Sequence, residues 1–139
     1  MRLRLYVDTS AYLCVLLGEE GAPEIAAKLA DGDLHSSVLL VLEARRNLVR
    51  LARTGQLAAS KLNDLLERVR RDVEALTLKD LTVDLCSDAS LPAVTTPRSL
   101  DLAHLATALW FHRRAPLDAY VTRDEGQRQS ARELGLPTG

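Results

Sequence analysis

Aromatic side chains are scarce in this chain: 4% of 139 residues, with one Trp, one Phe and three Tyr. A surface that stacks a run of nucleobases needs more of them, so extensive base stacking is not expected. Cysteine is limited to Cys14 and Cys86, which lie in separate apolar segments with no CxxC or Cys/His spacing. That argues against a zinc site or a disulfide framework. Both cysteines read as buried, reduced core thiols, which fits a cytoplasmic compartment. Neither sign of charge dominates, with 18 Lys and Arg against 19 Asp and Glu for a formal net charge of −1, so no global basic field advertises nucleic acid. No apolar run is long enough to span a bilayer, so no membrane partner is expected. P-loop, GxGxxG and GxSxG signatures are missing. His35, His104 and His112 carry no metal spacing to one another, and His104 reads as a satisfied core histidine.

What is present is an ordinary globular composition, 47% hydrophobic and 27% charged. The length suits one domain over residues 1–139 with a single good core. The opening stretch MRLRLYVDTSAYLCVLLGEE has the basic start and apolar run of a leader. Asp8 interrupts that run, however, and Glu19 and Glu20 follow where small residues would mark cleavage. It reads instead as a strand and helix of the mature fold.

Strand-like and helix-like segments then alternate, the pattern of an α/β domain with a parallel sheet. A strand is expected over Leu3–Val7 and a helix over Thr9–Leu17. A helix opens on Pro23, and a short strand follows around His35–Val38. VLEARRNLVRLARTGQ, ended by Gly55, and LAASKLNDLLERVRRD read as a helical hairpin. VEALTL reads as a strand and KDLTVDLCSDASL as a helix capped by Asp80. TTPRSLDLAHLATALWFHRRAP is a long helix entered through Thr, Pro and Ser. DAYVT is a buried strand, RDEGQRQSARELG a last helix, and LPTG a truncated edge strand. In such a fold, sites gather at the carboxyl edge of the sheet.

Asp8 ends the first strand and Asp124 follows the strand AYVT, so both belong to that edge. Glu43 and Asp101 stand in the opening turns of helices. Each acid has a plain structural alternative. Asp8 and Asp124 suit N-caps, Asp101 suits a helix dipole worth about 0.3–1 kcal/mol, and Glu43 could pair with Arg46 or Asn47 one turn on. Taken together they suggest more, because Glu43 and Asp101 interrupt otherwise apolar runs. Two unit charges at 4 Å repel by about 4 kcal/mol at an effective dielectric of 20. A cluster of carboxylates therefore wants a cation, and oxygen-only ligands favour Mg²⁺ or Mn²⁺. Metal-assisted phosphoryl cleavage is the chemistry suggested.

The pattern VDTSAYL, an internal Glu in VLLVLEARRNL, then SLDLAHLATAL, then YVTRDEGQRQSARELGL resembles the PIN domain, and within it the small VapC-type ribonuclease toxins of toxin–antitoxin pairs. The resemblance covers essentially the whole chain in the right order. It implies a three-layer α/β/α PIN-like fold around a parallel sheet of four or five strands. It also implies an endoribonuclease, in such toxins often directed against structured RNA such as transfer RNA. Carried over by position, Asp8, Glu43 and Asp101 match the metal-holding acids, and Asp124 matches a weaker fourth acid. Ser10 and Thr122 match small hydroxyl positions that orient the acids or a water. Glu125, directly after Asp124, departs from many relatives and is left open as a sharer of its role.

Arg46 and Arg50, on the helix carrying Glu43, are candidates for gripping RNA phosphates, the alternative being a solvated helix face. The helical hairpin and the first helix carry more apolar surface than a small sheet needs. The resemblance supplies two candidates to cover it, a second copy of the chain and an antitoxin; the alternative is that these faces form the core. Two other readings fit worse. A haloacid-dehalogenase-like enzyme wants an acid where Ser10 stands, and a receiver domain wants a lysine where AYVTRD offers arginine. A catalytically silent PIN-like module binding RNA or protein is the remaining alternative.

Overall fold

The computed structural model describes residues 2–87, 94–95 and 98–139. The elements run β1 (Leu3–Val7), α1 (Thr9–Leu17), α2 (Ala22–Leu29), β2 (Gly32–Ser37), α3 (Leu39–Arg53), α4 (Ala59–Ala75), β3 (Thr77–Lys79), α5 (Val83–Cys86), α6 (Ser99–Arg114), β4 (Ala119–Val121) and α7 (Glu125–Glu133). The strands form one parallel sheet in the order β3-β2-β1-β4. β1 is therefore central, and the chain crosses from β3 back over it to reach β4 on the far side. That reversal opens a crevice between the carboxyl ends of β1 and β4, the place where parallel α/β sheets bind ligands.

Alternation along the strands sorts the core into two layers. Leu5 and Val7 of β1, with Ala119 and Val121 of β4, pack against Tyr12 and Leu16 of α1, Leu40, Ala44 and Leu48 of α3, and Val69 of α4. Tyr6 and Tyr120 project from the opposite face, against Leu105, Ala108 and Leu109 of α6 and Ala131 of α7. Their rings pair across the β1–β4 register and stack at 5.1 Å. The result is the expected α/β/α sandwich with four strands.

Most apolar side chains of the helical hairpin are spent on this core: Leu48 and Val69 are buried, and Leu62, Leu65, Leu66 and Val73 pack against them. Tyr12 Oη donates to Asp72 Oδ2 at 2.7 Å, tying α1 to α4. Leu42, beside Glu43, stays 64% exposed.

Several boundaries differ from expectation. β2 starts at Gly32 rather than His35, because Gly32 pairs with Leu3 and lies so close to β1 that a Cβ there would meet Leu5 Cδ1 at 2.6 Å. α4 runs on to Ala75, one turn beyond its expected end, since Val69 and Val73 both face the core at helical spacing. β3 shrinks to three residues in consequence. α5 is capped by Thr82, whose hydroxyl accepts from Leu85 N–H, and not by Asp80. The expected continuation of this helix into residues 88–91, and the Thr96–Pro97 entry to α6, lie outside the described residues. Cys86 is exposed, in contrast to buried Cys14. In a helix this short only Leu85 turns inward. The LPTG tail is not a strand, although Pro137 C=O accepts the Tyr120 N–H at 2.7 Å on the outer edge of β4.

Candidate active site

Asp8 leaves β1 with extended backbone and caps α1, its Oδ1 accepting the Ala11 N–H at 3.0 Å. Ser10 Oγ donates to the same oxygen at 2.8 Å, and Thr122 Oγ1 donates to Oδ2 at 2.5 Å. The side chain is only 5% exposed. Burial pushes its carboxyl above the usual carboxylate range, against the opposing pull of the bonds from Thr122, Ala11 and Ser10. The N-cap and functional readings of Asp8 are thus compatible, since one carboxylate caps the helix and faces the crevice.

Thr122 carries the arrangement across to β4. Its Oγ1 accepts the Asp124 N–H at 3.1 Å, and Ser10 Oγ stands 3.1 Å away. Asp124 caps α7 by accepting the Gln127 N–H at 3.0 Å, with its side chain at the exposed lip. The neighbouring Glu125 instead pairs with Arg128 on the surface.

Glu43 enters from the first turns of α3. Its Oε1 accepts Thr9 Oγ1 at 2.7 Å and lies 2.8 Å from His104 Nε2. Among the described residues, no hydrogen bond reaches its other oxygen, Oε2. Burial raises its proton affinity, but the hydrogen bonds from His104 and Thr9 outweigh this and hold it below the usual range. Asn47 bonds to the Glu43 carbonyl, not to the carboxylate. Asp101, half-buried in the first turn of α6, has its carbonyl held by Gln127 Nε2 at 2.8 Å. Its charge, with those of Asp8 and Tyr6, adds to the burial that raises the Tyr120 hydroxyl.

Shared hydroxyls therefore link Asp8 to Asp124 through Thr122, and consecutive residues Asp8 and Thr9 link the first acid to Glu43. Asp101 joins through its backbone carbonyl, which accepts from Gln127 Nε2. Among the described residues, no three Asp, Glu, His or Cys side chains stand close enough to enclose an ion. The donor chemistry nevertheless fits a hard divalent cation, with carboxylate and hydroxyl oxygens meeting at a crevice and one Glu43 oxygen left over.

Beside these acids runs a groove of ≈ 570 Å³, lined among others by Ser10, Leu13, Asn47, Arg50, Arg123 and Asp124. Arg50 faces it. Arg46 is exposed on the same helix but does not line it. Thr9, which follows the first acid as in the toxins the chain resembles, bonds Glu43 here, whereas His104 reads from the sequence only as a core histidine and Gln127 is not singled out by it. For His104 the available signal was its place one turn after Asp101 on an otherwise apolar helix; Gln127 had no signal beyond lying three residues after a cap.

Comparison with known proteins shows the family and the fold. The PIN domain family model matches residues 5–133. The chain is 32% identical over 139 residues to Ribonuclease VapC47 of Mycobacterium tuberculosis, covering 96% of this chain and 94% of that protein. The crystal structure of PAE2754 from Pyrobaculum aerophilum superposes with a TM-score of 0.59 at 18% identity, over 90% of this chain and 77% of the other, a likeness of fold. With Asp8 and Asp124 at the switch point of a parallel sheet and a family match over nearly its full length, the chain belongs to the PIN domain family, among the VapC-type ribonucleases.

Proposed function

We propose that this protein is a divalent-metal-dependent endoribonuclease, the toxin of a toxin–antitoxin pair, which hydrolyses RNA phosphodiester bonds. The observation that carries the reading is the buried Asp8 carboxylate at the β1–β4 crevice, braced by Ser10, Ala11 and Thr122 and coupled through Thr122 to Asp124. Burying an acid among donors costs desolvation that a merely structural cap need not incur. A cation offsets that cost.

Asp8, Glu43, Asp101 and Asp124 would hold the ion, Mg²⁺ or Mn²⁺. When bound it supplies Lewis-acid polarisation of a phosphate oxygen and lowers the pKa of water. Ser10 and Thr122 fix the Asp8 carboxylate, so that its oxygens do not have to reorganise as charge develops on the phosphate. Asp124, exposed at the lip, completes the set or serves a second ion. Arg50 and Arg123 hold the RNA backbone in the groove, with exposed Arg46 one turn before Arg50 on the same helix as a further phosphate contact. Structured RNA such as transfer RNA is the substrate class, and residues 1–139 act as one domain.

A cognate antitoxin and a second copy of the chain are the protein partners, in the cytoplasm. Among the described residues no helix is long and apolar enough to cross a membrane. The test is RNA cleavage by wild type and Asp8→Asn, with and without chelator. Metal-dependent cleavage lost in the variant supports the nuclease; RNA binding without cleavage by wild type returns the chain to a silent binding module.

A further inference from the structure

His104 lies deep under the site, 3% exposed, where an unpaired imidazole would be costly. Both ring nitrogens have partners. Nε2 is 2.8 Å from Glu43 Oε1 and 3.1 Å from Thr9 Oγ1, and Nδ1 is 2.7 Å from Tyr6 Oη. The proton positions on Nε2 follow from counting donors. An ionised carboxylate only accepts, and the single proton of Thr9 Oγ1 is already given to Glu43. Nε2 must therefore carry a hydrogen, which it directs at Glu43 with Thr9 as a secondary acceptor. Tyr6 Oη then serves Nδ1, donating to it in a neutral ring or accepting from it in a charged one.

The ring has little freedom to turn. Tyr6 is wholly buried, meets His104 edge-on at 5.9 Å and stacks on Tyr120. Tyr6 also lies on β1 two residues before Asp8. The strand that places Asp8 thus fixes the orientation of the imidazole that holds Glu43. Oε1 is occupied from two sides by Thr9 and His104, while Oε2 has no described partner.

We infer that His104, oriented by Tyr6, is a positioning residue: its Nε2–H pins Glu43 Oε1 and presents Oε2 to the divalent ion. This role rests on the metal-dependent reading of the site and adds a residue to it. His104 touches neither ion nor substrate. Hydrogen-bonding partners of metal-binding side chains commonly contribute 10–100-fold in metal affinity or activity.

The experiment uses the full chain freed of metal, with Mn²⁺ binding followed by calorimetry and imidazole nitrogens by ¹⁵N NMR. His104→Phe keeps ring volume without a donor, and His104→Gln restores an N–H. The expected result is an Nε2-protonated His104 in wild type. Mn²⁺ affinity should then fall by about 10–100-fold in His104→Phe and recover in part in His104→Gln. Wild-type affinity in a folded His104→Phe, or a spectrum showing Nε2 bare, overturns the positioning role while leaving the nuclease reading intact. If His104→Phe does not fold, the wild-type ¹⁵N spectrum decides alone. Failure of wild type to bind Mn²⁺ under conditions where Asp8→Asn also fails removes the metal reading and this inference with it.

Discussion

Thr122 Oγ1 donates to Asp8 Oδ2 at 2.5 Å and, on its other side, accepts the Asp124 N–H at 3.1 Å. One hydroxyl thereby sets the orientation of an acid at the end of β1 and the start of the helix carrying another. Replacing it by an isosteric methyl leaves a buried carboxylate oxygen and a backbone N–H without this partner, a penalty of about 1–3 kcal/mol. Thr122→Val should therefore reduce RNA cleavage by about 10–100-fold, whereas Thr122→Ser should stay near wild type. Steady-state cleavage assays on the two variants check this, and an active Thr122→Val beside a disabled Thr122→Ser would mean that the methyl, not the hydroxyl, matters.

Asp8 should be a case in which function opposes stability. Its folded carboxyl titrates above the unfolded value because of burial. Its contribution is therefore fully favourable only below the ordinary carboxylate range and is lost as pH rises through the elevated folded pKa. At neutral pH without metal, Asp8→Asn should melt a few degrees above wild type. It should also lose cleavage by about 10³-fold, since several kcal/mol of charge stabilisation go with the ion. Calorimetric melting in chelator, paired with a cleavage assay, tests both halves.

The opposite sign applies to Glu43. Bonds from His104 and Thr9 hold its folded pKa below the unfolded value despite burial. Its stabilisation is present above the unfolded pKa and is lost as pH falls through the folded one. Glu43→Gln should accordingly lower stability at neutral pH by about 1 kcal/mol, with the deficit vanishing in acid. Divalent metal should separate the sites further. A ligand at 100 times its Kd stabilises the folded state by about 2.7 kcal/mol, so Mn²⁺ should raise the melting temperature of wild type and not of Asp8→Asn.

The order of elements is readable because the chain keeps its local signals consistent. Apolar strands end on Asp8 and near Asp124, Pro23 opens α2, and Gly55 stops the α3 segment. Placement of Asp8 and Asp124 at one edge follows from topology alone. What is not readable depends on neighbours distant in sequence. Gly32 belongs to β2 because Leu5 presses on it, Val73 extends α4 because a core lies beneath it, and Cys86 is exposed because a single turn buries only Leu85. His104 reads from the sequence as a core histidine, and it is buried as that reading requires. Its partners, Glu43 and Tyr6, come from 61 and 98 residues away, and no spacing rule reaches so far.

RNA binding in the groove should depend on very few cations. Arg50 and Arg123 line it, but Glu19, Glu20 and Asp124 line it too, so its local charge is not basic. Arg50 is held only lightly, donating to Asn47 Oδ1 at 3.3 Å, and is free to swing to a phosphate. Removing one cation that neutralises a phosphate should lower the slope of log K against log salt by about 0.7 for a single strand. Arg50→Ala should therefore weaken RNA binding uniformly across sequences, with a shallower salt dependence and a KM raised more than kcat is lowered. Arg46→Ala, off the groove wall, should do less. Glu20→Gln should tighten binding at low salt and converge on wild type at high salt, because screening over about 10 Å at 0.1 M removes the repulsion it relieves. Filter binding of one RNA across a salt series reads all three, and an Arg46→Ala effect larger than that of Arg50→Ala would move the RNA path off this groove.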